Sequence, residues 1–179
     1  MILLNRLKYG LFLVFNKMII SLFVVSSFAI ADNQVKILML GDSLTQGYGL
    51  EEKSGLVPVL QRWLSSNETE VFLINGGVSG DTTLGGLERL DWLLTPDIDG
   101  VVVALGGNDL LRGFDPEFTK NNLDKIFMKL KSKGISAAVV GTISPLNYGS
   151  EFKKEFDDIF PALAEDYGLF YVDSFFAPL

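Results

Sequence analysis

"VKILMLGDSLTQGYG", residues 35–49, runs from a stretch of branched and long apolar side chains into a glycine, an aspartate and a serine. The stretch from Val35 to Leu40 is too short for a helix and shows no sustained polar alternation, so it reads as a strand buried on both faces. Strands of that kind belong to parallel sheets covered by helices. Ser43 then stands where a buried strand gives way to a turn, a place suited to a nucleophile. The 179 residues contain no histidine to serve as its base.

The pattern repeats along the chain. Val71–Ile74, Val101–Leu105, Ala137–Val140 and Leu169–Val172 are short apolar runs of strand length. Between them lie segments of helical period: Leu56, Val59, Leu60, Trp63 and Leu64 share one face, as do Leu123, Ile126, Phe127 and Leu130, and then Phe152, Phe156, Ile159, Phe160 and Leu163. Asp115-Pro116 reads as an N-cap with proline at the first helical position, Gly134 as a helix stop, and Pro161 predicts a kink in the last helix. Each connector is long enough for the helical return that parallel strands need. The expectation is an open α/β sheet of five parallel strands with four intervening helices, its ligands held beyond the carboxyl ends of the strands.

Composition narrows the function. The length suits one domain, and 48 % hydrophobic residues suffice for a core. Arg6, Lys8 and Lys17 precede the apolar stretch from Met18 to Ile30, and Ala29-Ile30-Ala31 resembles a small-residue cleavage site, so residues 1–31 read as a signal peptide and 32–179 as the domain. An uncleaved membrane anchor is the rival reading. The formal charge of −7 argues against a nucleic-acid partner. No cysteine is present, which excludes disulfides and thiolate metal sites. Gly47-Tyr48-Gly49 lacks the third glycine of a dinucleotide fingerprint, and there is neither a phosphate loop nor a Gly-x-Ser-x-Gly elbow. No cofactor or metal is expected. Asp97 and Asp99 fall in a Pro-containing turn, where solvation is their expected role.

Three strand ends carry unusual residues: Gly41-Asp42-Ser43, Asn75-Gly76-Gly77-Val78-Ser79-Gly80-Asp81, and Gly106-Gly107-Asn108-Asp109. Taken singly, Asp42, Ser43 or Asp81 can be a helix cap and the glycines can serve turns. Taken together they meet on one edge of one sheet. Attack by Ser43 on an acyl carbonyl creates an oxyanion that needs preorganised donors. The N–H of Ser43, the N–H of Gly80, which has no side chain to obstruct it, and the Asn108 amide supply three. Leu110 and Leu111 either contact an acyl chain or pack inward.

"GDSLTQGYG", "NGGVSGDT" and "GGNDLLRG" resemble, in order, the first three blocks of the SGNH or GDSL-type esterases, and "PLNYGSEFKKEFDDIFPALAEDYG" extends the likeness to their exported bacterial acyl-thioesterase/lysophospholipase and arylesterase branch. The resemblance covers about residues 35–176. It implies a three-layer, flavodoxin-like sheet, with Ser43 as the nucleophile and Ser43, Gly80 and Asn108 as the oxyanion hole. It further implies that Asp42 is structural and that the substrate is a small or fatty acyl ester or thioester handled by a periplasmic or secreted monomer. Membrane contact would come only through the signal segment or a lipid substrate.

The family's fourth block, an Asp-x-x-His after the fifth strand and before a closing helix, has no counterpart in this sequence. A carboxylate such as Asp42 or Asp109, with an ordinary pKa near ~3.9, is a poor substitute at neutral pH. The expectation is therefore a C-terminally truncated, inactive or weakly active chain that lacks the closing helix. The alternative is a non-catalytic acyl- or carbohydrate-ester-binding protein of the same fold.

Overall fold

The computed structural model describes residues 34–176. The expected signal peptide and its cleavage site lie outside those residues.

Five parallel strands form one sheet: β1 (Val35–Gly41), β2 (Val71–Gly77), β3 (Gly100–Ala104), β4 (Ser136–Val140) and β5 (Phe170–Val172), in the order β2-β1-β3-β4-β5. This is the flavodoxin-like order, in which the direction of strand addition reverses between β1 and β3. The four expected connectors are helical. They contain α2 (Leu56–Ser66), α3 (Thr83–Leu93), α5 (Pro116–Ser132) and α6 (Ser150–Tyr167), and two further short helices follow strands directly, α1 (Ser43–Gln46) after β1 and α4 (Gly107–Leu111) after β3.

Strand parity sorts the side chains into two layers of core. Leu38, Leu40, Val101, Val103 and Val139 face the large cluster, where they meet Leu90 of α3, Leu123, Ile126, Phe127 and Leu130 of α5, and Phe156, Ile159, Phe160 and Leu163 of α6. Met39 and Leu73 face the other way and pack on Val57 of α2, with Leu60 and Leu64 around them. The helix ends follow local chemistry. Asp115 accepts from the Glu117 N–H ahead of Pro116, while Gly134 at φ 69° allows Ile135 N–H to reach back to the Leu130 carbonyl. Helix α6 continues through Pro161, so that residue does not end it.

One expectation fails at the sheet edge. Burial on both faces holds for β1, with Leu38 and Leu40 buried on one side and Met39 on the other, but β5 is exposed throughout, with Phe170 83 % accessible. The register explains why: Phe170 and Val172 pair with Ala138 and Val140, on the face that α2 covers only at its β2 and β1 end. An uninterrupted apolar run was thus the mark of an edge strand here as well as of central ones. The opposite edge is treated differently. Gln61 of α2 lays its amide along the outside of β2, donating to the Val71 carbonyl (2.9 Å) and accepting from the Leu73 N–H (2.7 Å), as a neighbouring strand would. Asp97 and Asp99 also do more than meet solvent, since both hold Lys36 of β1, Asp97 through the ammonium and Asp99 through the backbone N–H, each at 2.8 Å. The two tryptophans, Trp63 and Trp92, are exposed.

Candidate active site

Three adjacent strands, β2, β1 and β3, deliver Gly80, Ser43 and Asn108 to the carboxyl edge of the sheet. The packing there leaves little room for side chains. A Cβ on Gly41 would lie 2.0 Å from Thr45 Oγ1, and one on Gly77 would lie 2.2 Å from Gln46 N. Glycine at both positions lets α1 sit directly on the ends of β1 and β2, which places Ser43 in the first turn of α1. First-turn N–H groups have no acceptor within their own helix, so that of Ser43 is available to a ligand.

Asp42 organises the centre. It is 7 % exposed. One oxygen caps α1 by accepting from Leu44 N–H at 3.0 Å, and the other accepts from Asn108 Nδ2 at 3.3 Å. Burial pushes its carboxyl above the ordinary value, against the lowering effect of the Leu44 bond. Asp42 thereby ties the turn that carries Ser43 to the side-chain amide of Asn108.

Gly80 sits in a turn closed by Asp81 N–H on the Val78 carbonyl, at φ 80°, a conformation that L side chains rarely adopt. Sequence reading missed the residues that hold this turn. Arg112 donates to the Gly80 carbonyl (2.8 Å), Gln46 accepts from Ser79 N–H (2.9 Å), and Arg89 joins Asp81 (2.6 Å) to the Gly41 carbonyl (3.0 Å). Asp81 is therefore paired to arginine, and Thr82 caps α3. The spacing of Asp81 and Arg89, about two helical turns, was the one available signal. Behind Asn108, the fully buried Asp109 accepts from both the N–H and the hydroxyl of Thr83, which fastens α4 to the start of α3.

Beside Asp42 opens a cleft of about 290 Å³, lined by Leu44, Ala104, Gly107, Val140 to Ile143, and Ser174 to Phe176. Leu110 packs into the main core, and Leu111 is 78 % exposed. Neither lines this cleft. Among the described residues no group of three or more metal-ligating side chains occurs.

A serine, a turn glycine and an asparagine amide on neighbouring strand ends match a known family: residues 39–179 fit the model of the GDSL-like lipase/acylhydrolase family. The chain belongs to that family. This GDSL-like protein is 41 % identical over 133 residues to the arylesterase of Vibrio mimicus, covering 73 % of this chain and 66 % of that protein. It is 35 % identical over 133 residues to thioesterase 1/protease 1/lysophospholipase L1 of Escherichia coli, covering 73 % and 62 %. It thus spans slightly less than two thirds of these curated relatives. Among solved structures it is similar to AlinE4, an SGNH-hydrolase family esterase (TM-score 0.77, 40 % identity, 80 % of this chain and 77 % of that one), and to TesA (0.73, 34 %, 78 % of each). The expected family and the expected fold are both present.

Proposed function

We propose that the protein is a serine hydrolase of carboxylic esters and thioesters, acting through an acyl-enzyme on Ser43. The observation that carries this reading is the linkage of Ser43's turn to Asn108 through Asp42, with Gly80 on the neighbouring strand end. Ser43 Oγ attacks the carbonyl carbon, and the negative oxygen is taken by the Ser43 N–H, the Gly80 N–H and Asn108 Nδ2. The alcohol or thiol leaves with a proton, and water then releases the acid. The cleft beside Asp42 takes the acyl chain. Relatives named arylesterase, esterase TesA and thioesterase 1/protease 1/lysophospholipase L1 support aryl esters, acyl thioesters and lysophospholipids as substrates.

No histidine is available in these 179 residues to take the serine proton. The base in this reading is a histidine from an Asp-x-x-His segment outside them. The charge pattern of residues 1–31 supports export and cleavage before Asp32, and the protein acts as a monomer in the periplasm or medium.

The test compares the 179-residue chain with the same chain extended by an Asp-x-x-His segment and helix from a relative, on an activated aryl ester. Extension is expected to raise turnover by at least ~10³-fold, and Ser43→Ala to remove the gain. An extended chain that binds ester but never turns it over favours the ester-binding alternative, for which the missing histidine is the motive. N-terminal sequencing of the exported protein checks the cleavage.

A further inference from the structure

The loop between β4 and α6 forms one wall of the cleft, yet Gly141 to Pro145 has no regular structure of its own. Such a segment keeps its place only if other groups bond its backbone. At its start the Gly141 N–H donates to the Val172 carbonyl at 2.8 Å, and towards its other end a pair of side chains on α6 takes over. Asp157 Oδ1 accepts from Ser144 N–H at 2.7 Å, Lys153 Nζ donates to the Ser144 carbonyl at 2.5 Å, and Lys153 meets Asp157 Oδ2 at 2.6 Å. Ser144 is only 1 % exposed, so both ends of its backbone depend on this pair rather than on water. Immediately before it stand Thr142 and Ile143, which line the cleft together with Leu44 and Phe176.

The same helix offers a comparison. Lys154 and Asp158 form an ion pair of the same spacing and the same 2.6 Å length, but their side chains are mostly exposed and the pair grips no loop. Ion pairing at that spacing is common on helices and contributes little. What separates Lys153 and Asp157 is the peptide held between them.

We propose that Lys153 and Asp157 are positioning residues for substrate selection: by gripping the Ser144 peptide they fix Ile143 as a wall of the cleft and so set the acyl chain that fits. The inference rests on the cleft being the acyl site of the proposed hydrolase. A gripped wall favours a chain of defined length through close contact, and a released wall loses that preference.

The experiment is an NMR titration of the full chain with acetate and with octanoate, following the amides of Leu44, Ile143 and Phe176. Octanoate is expected to shift these amides. Asp157→Ala should weaken its binding by about tenfold or more, Asp157→Asn, which keeps an acceptor for Ser144 N–H, should weaken it less, and Asp158→Ala should leave it unchanged. The Ser144 amide should exchange with deuterium faster in Asp157→Ala but not in Asp158→Ala. If Asp157→Ala unfolds, Lys153→Met, which removes the donor to the Ser144 carbonyl, is read in the same way. Equal behaviour of the two alanine variants, or octanoate leaving the cleft amides of the unsubstituted chain unmoved, overturns the proposal. Either result alongside Ser43-dependent hydrolysis in the extended chain removes the clamp and leaves the hydrolase standing, whereas loss of Ser43 dependence removes the hydrolase reading itself.

Discussion

Asp42 shows how much one side chain carries at this site. Its raised pKa means that the folded chain keeps the proton to a higher pH than the unfolded chain, whose carboxyl titrates near 3.8. Between those two values stability falls as pH rises, and above them the cost of a buried carboxylate is present in full. Asp42→Asn removes that slope, so its urea midpoint should gain on the unsubstituted protein as pH rises through the window above 3.8. The same change leaves one amide oxygen for two donors, and if that oxygen stays on the Leu44 N–H that caps α1, the new NH₂ is set against Asn108 Nδ2. Asn108 is then expected to turn its donor away, so Asp42→Asn should lower turnover of the histidine-extended chain while leaving it folded. Asn108→Ala in that chain should cost ~10²–10³-fold in kcat, as the loss of one oxyanion donor does elsewhere. Steady-state rates for the two variants check both statements. That Ser43, Gly80 and Asn108 stand together at neighbouring strand ends was legible because glycine and amide residues there are unusual in sequence. Arg89, Arg112 and Gln46 were not, since a lone polar residue on a helix reads as surface until the loop it holds is in place.

At the scale of elements, hydrophobic period identified every strand and three of the four long helices, α2, α5 and α6, because those signals depend on burial of one face or two, whereas α3, which buries Thr83, Gly86 and Leu90, was expected only from the length of its connector. Helices α1 and α4 escaped it. Their four and five residues are too few to show a period, and they exist because glycine lets them rest on strand ends. Gly77 makes this testable. A methyl group there meets the backbone of Thr45 and Gln46 rather than a side chain that can swing aside. Gly77→Ala is expected to destabilise the fold by ~1–3 kcal/mol, read as a lower urea midpoint, and to displace α1 and with it Ser43. Gly134→Ala is a useful contrast, since no atom lies within 4 Å of its Cβ and the strain is that of φ 69° alone.

Across the whole molecule, the layered order was legible from the alternation of strand and helix, and the unequal covering of the sheet was not, because an apolar run does not say which neighbours a strand will have. The result is a face around Phe170 and Val172 open to water among the described residues. Exposed apolar area of this kind promotes association. Phe170→Ser should therefore shift the chain toward monomer in sedimentation at raised concentration, with little change in melting temperature. The two sheet edges also differ in what they permit. The Gln61 amide already occupies the backbone of β2, whereas the outer backbone of β5 has no strand beside it among the described residues. A pairing of like edges, β5 to β5, would relate two copies by a two-fold axis and close on itself. Head-to-tail growth would need β2 as well, where Gln61 already takes the Val71 carbonyl and the Leu73 N–H, so this glutamine works against an endless fibre.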